Sequence, residues 1–510
     1  MERERRYHYL ILFLANATAM TTELVIARIL TPILGSSNVV WTIVISIILF
    51  ANSIGNYAGG RLSNNKGRKR LDMLMFHAMS IGTMAMLIMA GIDRVMIDNA
   101  GMSTAVSKAG VIILLALCLI HSVVTGIISP VINELELNEG QIGEKSGIIY
   151  TVITLGGLFG TLAGGLFLIP RFGCLTIIHM MALISAVCAF IPGIGIIRRH
   201  GKMKHIVVMS LIMTAAVESM FSIVAAAQNN GIDTATGGYR TVIDTKEGYV
   251  TITDVQINNE PARIMSISGG YSSAIYKDPQ KRNELIFDYC KNYNIILDTA
   301  PQLNTFLMIG GAGYTWPRYL KANYPDKAID VVEIDGRVTE IAKEYMYLDE
   351  FLNEHGKDSM GLYTDDGKLY LKNTDKKYDA ILNDAFLGHS PARSLSTLET
   401  VQDIHDCLNE EGIYATNIIG NTEKSGISFL KSEVKTIKQV FYYTWLVPAG
   451  SKNTKGEQNY ILFASDKDYG IKNAIEIRYT DNDVVFTDNY APVEYFSSAG
   501  NISLLAGNES

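Results

Sequence analysis

No CxxC pair and no Cys/His ligand spacing occurs anywhere in this chain of 510 residues. Its five cysteines are scattered: Cys118, Cys174 and Cys188 sit in apolar segments, Cys290 and Cys407 in a more polar half. That leaves no basis for a disulfide framework or a structural metal site. Positive charge is scarce in the second half. Residues 230–510 hold 27 Lys/Arg against 40 Asp/Glu, a net charge of −13, whereas residues 1–229 hold 17 against 11, a net charge of +6. A surface that acidic repels phosphate backbones, so nucleic acid is not an expected partner. Cationic small molecules are compatible with it, although net charge steers encounter and does not define a site.

Charge of either sign is missing from long stretches of the first half. A bilayer core needs roughly 20 apolar residues per spanning helix, and seven stretches qualify: 8–30, 40–61, 73–93, 109–132, 146–169, 174–197 and 205–227. The opening MERERRYHYLILFLANATAM has a basic head, but no convincing small-residue cleavage site follows its long apolar run. It reads as a retained first helix and not as a signal peptide. Basic residues cluster at Arg3, Arg5 and Arg6, in RLSNNKGRKR and in RRHGKMK, while the alternate loops are nearly free of them. The positive-inside rule then sets the N-terminus on the cytoplasmic face of a multi-pass cell-membrane protein. Seven spans would deliver the second half outside, whereas the chemistry argued below suits the inside, so the side of that half stays open. Glycines at 156, 157, 160, 164 and 165 allow close helix packing. Ionisable residues within the spans include Glu23, Arg28, His121 and Glu218. Such groups are costly in lipid and mark candidate functional positions, or pair with one another near helix ends.

At this length more than one domain is expected, and the pattern changes after the last apolar stretch. The chain divides into a transmembrane bundle at 1–229, a small β unit at 230–295 and an α/β domain at 296–510. RTVIDTKEGYVTITDVQ and PARIMSIS alternate apolar and polar residues between Gly- and Asn-rich breaks, as antiparallel strands do. From about residue 303, TFLMIG, AIDVVEID, GLYTDD, YDAILNDAF and GIYATNI alternate with helical patterns, the rhythm of a doubly wound, Rossmann-like sheet.

The first of these strands ends in Gly310, Gly311, Ala312 and Gly313. Glycines there let backbone N–H groups approach a ligand and keep the turn tight. Glu333 ends the second strand, 20 residues past Gly313, where a carboxylate can accept both hydroxyls of a ribose. Asp365 and Asp366 end the third strand and Asp384 the fourth. Ligands of open α/β sheets bind beyond the carboxyl ends of the strands, so one crevice would receive all of these groups. Each carboxylate taken alone is as consistent with a loop or helix cap. The turn is GGAGY and not GxGxxG, which argues against NAD.

With these motifs the sequence resembles the polyamine aminopropyltransferases, the spermidine synthase family, over roughly residues 240–465. The segments that carry the resemblance are IGGAGYTWPRYL, VVEIDGRV, TDDGKLYL, YDAILNDAFLGHSPARSL, LNEEGIYATNI and TDNYAPVE. The whole chain looks like the membrane-fused homologues of that family. The resemblance implies a class I methyltransferase-like fold, no permanently bound cofactor, and decarboxylated S-adenosylmethionine or S-adenosylmethionine itself as co-substrate. It further implies Glu333 on the ribose, Asp366 on the adenine amine, and Asp384 as the catalytic aspartate that accepts a proton from, or orients, the attacking amine. Small-molecule amine, adenosyl sulfonium and lipid bilayer are the expected partners, with a homodimer as the assembly common in the family.

Two departures stand out. The family's turn reads GGGDGG, with its acid on the amine of the decarboxylated donor; here that position is Gly313. The acid that helps hold the polyamine after the catalytic aspartate is replaced by Leu387. Loss of a carboxylate partner from a buried ammonium typically costs several kcal/mol. An intact donor carries a carboxylate of its own, which Arg318 or Arg393 is a candidate to hold. His389 is a candidate acid–base group, and Tyr249 and Tyr271 are candidates to line an acceptor pocket. The expected activity is aminopropyl transfer to an amine with release of methylthioadenosine. Its alternatives are lyase, aminocarboxypropyl or methyl-transfer chemistry, or a membrane nucleoside sensor.

Overall fold

The computed structural model describes residues 2–34, 38–64, 66–98, 104–136, 142–169, 171–200, positions scattered over 204–219, and then 239–246, 248–387, 390–422, 428–450 and 457–493. Two compact units form, Met1–Ile33 with Asn38–Asn230, and Leu34–Ser37 with Gly231–Ser510.

The first unit is all helix: α1 (Glu2–Leu34), α2 (Asn38–Ser63), α3 (Arg68–Asp98), α4 (Thr104–Glu136), α5 (Ile142–Leu162) with a final π turn at Ala163–Leu168, and α6 (Cys174–His200). Each carries a segment long and apolar enough to cross a membrane. Six of the seven expected stretches are therefore helices, and the seventh, 205–227, lies largely outside the described residues. The glycine-rich face of α5 packs on α1. A Cβ added to Gly160 would lie 2.2 Å from the carbonyl oxygen of Ala17, and Thr21 donates its hydroxyl to the Gly160 carbonyl at 3.0 Å. Small residues bring the two backbones within hydrogen-bonding reach, which larger side chains forbid. Of the ionisable groups within the spans, Glu218 lies 3.9 Å from His179.

In the second unit, four strands form an antiparallel meander: β1 (Arg240–Thr245), β2 (Gly248–Ile257), β3 (Glu260–Ile267) and β4 (Gly270–Tyr276). The β2–β3 connection is Asn258-Asn259 with φ of 53° and 64°, and the β3–β4 connection is Ser268-Gly269 with φ of 48° and 85°. Both left-handed pairs match the twist of a tight hairpin, which is why Asn and Gly occupy them. The meander does not build a core of its own. Val250, Ile252, Met265 and Ile275 pack in the same apolar cluster as Phe306, Trp316 and Ile341 further along the chain.

Seven strands make the main sheet: β5 (Thr305–Ile309), β6 (Ala328–Glu333), β7 (Gly361–Thr364), β8 (Tyr378–Asn383), β11 (Leu408–Gly420), β12 (Tyr443–Pro448) and β13 (Gln458–Ser465). A two-residue pair, β9 (Phe386–Leu387) and β10 (Ser390–Pro391), lies between β8 and β11. The sheet order is β12-β13-β11-β8-β5-β6-β7, parallel except for β13, which runs antiparallel to both of its neighbours. Counted from β5 in chain order this is 3-2-1-4-5-7-6, the class I methyltransferase-like order. Apolar clusters cover both faces of the sheet, so the central strands read as near-continuous apolar runs. The chain reverses its winding direction between β5 and β8, and the crevice beyond their carboxyl ends is where such sheets bind ligands.

The α1–α5 contact yields a test. Gly160→Leu forces the two helices apart and is expected to destabilise the bundle by about 1–3 kcal/mol, the usual cost of overpacking. A lowered melting temperature of the detergent-solubilised chain, relative to Gly157→Leu on a roomier face, is the measurement.

Candidate active site

The turn after β5 is built against the end of β8. Gly310 has φ +93°, and a Cβ there would lie 2.6 Å from the carbonyl oxygen of Asp384. The Asp384 N–H donates to the Ile309 carbonyl at 2.9 Å, and the Gly310 N–H to that of Val332 at 2.9 Å. Ala312 (φ 43°) and Tyr314 (φ 55°) complete the turn in left-handed conformations, each costing of order 1 kcal/mol or more for a residue with a Cβ. Glu333 holds this turn in place: its Oε2 accepts from the N–H groups of Gly311 at 3.0 Å and Ala312 at 3.1 Å. Its Oε1 accepts from the Asp335 N–H at 3.2 Å. Burial pushes the Glu333 carboxyl up, and the three backbone N–H groups oppose the rise.

The acids at the next strand end also have structural work. Asp366 caps the helix Gly367–Asn373, accepting from the N–H groups of Lys368 at 2.9 Å and Leu369 at 3.1 Å. Asp365 accepts from the Asp366 N–H at 2.8 Å. Asp335, which the sequence patterns did not single out, caps the helix Gly336–Tyr345 from the Arg337 N–H at 3.0 Å. A cavity of about 490 Å³ gathers these groups, lined by Gly310, Gly311, Glu333, Asp335, Asp365, Asp366 and Asp384 among others. A volume of that size accommodates a nucleoside and a short chain.

Asp384 sits half-buried where β8 ends. Its Oδ1 accepts from the Asn417 amide at 2.8 Å, and the Asn417 Oδ1 accepts from the Asn459 amide at 3.0 Å. Burial pushes the Asp384 carboxyl up to about 7, with Asn417 and the hydroxyls of Tyr289 and Tyr293 opposing the rise. Among the described residues no cation contributes to that balance. A carboxyl poised near neutrality in a cavity has the character of a proton acceptor for an ammonium ion.

Residues 293–466 match the spermine/spermidine synthase domain. Curated relatives are similar over part of their length. The polyamine aminopropyltransferase of Vibrio vulnificus is 30% identical over 183 residues, 35% of this chain and 57% of the relative. That of Methanocaldococcus jannaschii is 32% identical over 133 residues, 26% of this chain and 44% of the relative. The chain thus spans about half the length of the curated relatives it matches. Among solved structures, a probable spermidine synthase from Corynebacterium glutamicum aligns at 19% identity and a TM-score of 0.37, covering 51% of this chain and 92% of that one. The spermidine synthase from Thermotoga maritima aligns at 19% identity and a TM-score of 0.35, covering 53% and 86%.

Within the matched region and the meander before it, the expected positions separate. Gly310, Gly311, Glu333, Asp365, Asp366 and Asp384 line one cavity together with Tyr271 and Arg393. Tyr271 is 62% exposed. Gly313, Tyr249 and Arg318 do not line that cavity. Gly313 packs against the meander: its N–H donates to the Ser273 hydroxyl at 2.9 Å, and an added Cβ would lie 2.6 Å from that of Ser273. An acidic side chain has no room there. Tyr249 lies in β2, and its carbonyl accepts from the Ser268 N–H at 2.8 Å.

The expectation for Arg318 as a carboxylate clamp is corrected. It is 1% exposed, and its guanidinium donates to the carbonyls of Met346 at 2.6 Å and Arg282 at 2.9 Å. Burial lowers its pKa to about 9. The helix Thr315–Asn323 turns this residue into the protein interior, where it satisfies backbone groups. His389 lies outside the described residues. Asn417 was legible in principle, as a polar residue inside the buried run GIYATNI. Asn459 and Tyr289 reach the site only through the β11–β13 pairing and the helix Asp288–Asn292.

Two tests follow from this geometry. Gly310→Ala brings a Cβ onto the Asp384 carbonyl at positive φ, and adenosine binding measured by calorimetry is expected to fall at least tenfold. Asp384→Asn removes a carboxyl whose pKa is raised on folding from 3.8 to about 7. The contribution of that carboxyl to stability is fully present below about pH 4 and is lost as the pH rises to about 7, a loss the variant does not show. Their stabilities should diverge over that window by up to about 4 kcal/mol, read from melting temperatures against pH.

Proposed function

We propose that this chain is a membrane-anchored aminopropyltransferase acting on an adenosyl sulfonium and an amine. The observation that carries the reading is the single cavity in which a glycine turn, Glu333, Asp366 and a near-neutral Asp384 converge at successive strand ends. In this reading Glu333 meets the ribose hydroxyls, Asp366 meets the adenine amine, and Tyr271 stands at the acceptor side. An ammonium has no lone pair, so Asp384 takes a proton from the acceptor amine. The freed nitrogen attacks the carbon beside the sulfonium, an N–C bond forms, and the C–S electron pair leaves with sulfur. Methylthioadenosine is released, and the proton on Asp384 returns to solvent. The neutral thioether needs no acid to leave, so alignment in the cavity supplies most of the acceleration.

The helices of the first unit support a multi-pass membrane anchor. Large apolar side chains such as Leu49, Phe50, Leu158, Phe159, Leu166 and Phe167 stand exposed on α2, α5 and its π turn, a surface that lipid covers and water does not favour. The basic residues at the start of α1 support a cytoplasmic N-terminus.

A second reading, use of intact S-adenosylmethionine for aminocarboxypropyl transfer or self-cleavage, is favoured by one observation. Where the family carries an acid for the donor's ammonium, Gly313 is filled against Ser273, leaving neutral hydroxyls at Ser272 and Ser273 on the cavity wall.

Purified full-length protein incubated with either donor, with and without putrescine, separates these readings by product mass. Methylthioadenosine formed only from the decarboxylated donor plus amine is the expected result. Methylthioadenosine from the intact donor supports the second reading, and S-adenosylhomocysteine would refute both. Asp384→Asn is expected to lower transfer by about 10²–10⁴-fold while nucleoside binding persists. In the wild type, kcat/KM should rise with pH through about 7 as Asp384 ionises.

A further inference from the structure

Asn417 and Asn459 stand on adjacent antiparallel strands, β11 and β13. Asn417 lies opposite Ile461, and Asn459 opposite Ile419, so the two amides are diagonal neighbours on one face of the sheet. That face is otherwise apolar. Ile413, Ala415, Ile461 and Phe463 lie on it, each 0% exposed and part of one hydrophobic cluster. Burying an amide in such a place is costly unless its hydrogen bonds are made. Asn417, 6% exposed, makes one at each end. Its Nδ2 donates to the Asp384 Oδ1 at 2.8 Å, and its Oδ1 accepts from the Asn459 Nδ2 at 3.0 Å.

An amide donates at one end and accepts at the other, so this chain of three side chains has a direction. Turned over, Asn417 would set its carbonyl against the Asp384 carboxyl. Two acceptors would then face each other whenever Asp384 is ionised. The two ends of the amide have nearly the same shape, so the hydrogen bond at the far end decides which way it lies. Asn459 supplies that bond. The amide of Asn383 is committed to the other face of the sheet, where it donates to the hydroxyls of Tyr414 at 3.3 Å and Thr416 at 3.4 Å.

The titratable groups around Asp384 are Tyr289, Cys290 and Tyr293, all pushed up by burial and all neutral near pH 7. The Tyr289 hydroxyl donates to the Ser272 carbonyl at 3.0 Å. Charged groups elsewhere on the cavity wall are Glu333, Asp335, Asp365, Asp366 and Arg393, with Glu457 two residues before Asn459 on β13. Among the described residues, no cation is bonded to Asp384.

We propose that Asn459 is a positioning residue for Asp384: by donating to the Asn417 carbonyl it locks the Asn417 amide with its NH2 turned on the carboxylate. A donor fixed in that place favours the ionised form, the one able to take a proton from an amine. Asn459 acts through Asn417 and without bonding Asp384 itself, as an outer partner that orients the residue in contact with the reacting group. The inference rests on the reading of Asp384 as proton acceptor, and its test separates the two.

Asn459→Leu in the full-length protein removes the outer donor and frees the Asn417 amide to turn. The acid limb of the kcat/KM profile is expected to move to higher pH by about one unit, with the KM for the sulfonium donor unchanged. In an Asn417→Leu background the same substitution should move the limb no further, because the residue it acts through is gone. A raised KM with an unmoved limb, a uniform loss at every pH, or a further displacement in the Asn417→Leu background would overturn the inference. A second readout needs no turnover. The melting-temperature difference between a protein and its Asp384→Asn counterpart, followed against pH, reports when Asp384 ionises. In the Asn459→Leu background this curve should level off at a pH higher by the same amount. A displaced stability curve in a protein that transfers no group sinks the proposed activity and leaves Asn459 standing; transfer activity with neither profile displaced does the reverse. Should Asn459→Leu fail to fold, Asn459→Ala removes the same donor without adding bulk, and an unmoved curve in that variant would overturn the inference.

Discussion

The backbone contact between the turn after β5 and the end of β8 underlies the rest of the site. With the Asp384 N–H bonded to the Ile309 carbonyl, the two loops leave the sheet at one point and then diverge. A side chain at 310 would strike the Asp384 carbonyl, so the glycine and the acid are mutually required. Because both are held by adjacent central strands, the glycine turn and the Asp384 carboxyl keep a fixed separation without help from a mobile loop. The strain of the left-handed residues Ala312 and Tyr314 is contained by the same arrangement, since Glu333 bonds the N–H groups that the turn exposes.

Charge is distributed unevenly around that fixed point. Four carboxylates beyond β6 and β7 each accept at least one backbone N–H. Asp384 instead has an amide and two phenols around it, and burial makes its charge costly. The exclusion of a side chain at Gly313 by Ser273 extends the neutral character of this end of the cavity.

The two halves of the chain were separable because lipid-type helices and doubly wound sheets impose different periodicities. Uncharged runs of about 20 residues identified α1 to α6, and short apolar runs ending in Gly or an acid identified β5 to β8. Side-chain roles were less legible. Asp366 and Glu333 were recognised as carboxylates at strand ends, yet a pattern of letters does not tell a helix cap from a ligand contact, and both acids make caps or turn bonds. Arg318 occupied the right loop in sequence but faces inward on its helix, a direction set by the packing of Trp316 and Leu320.

By itself the sequence determined the helical bundle, the order of the α/β strands and the acids at their ends, because hydrophobic period, glycine and charge are local properties. Tertiary structure alone decided which of those acids share a cavity with Asn417, Asn459 and Tyr289, and how far burial shifts Asp384. Those outcomes depend on strand pairings between residues far apart in the chain and on the water that packing removes, and neither is written in any single stretch of residues.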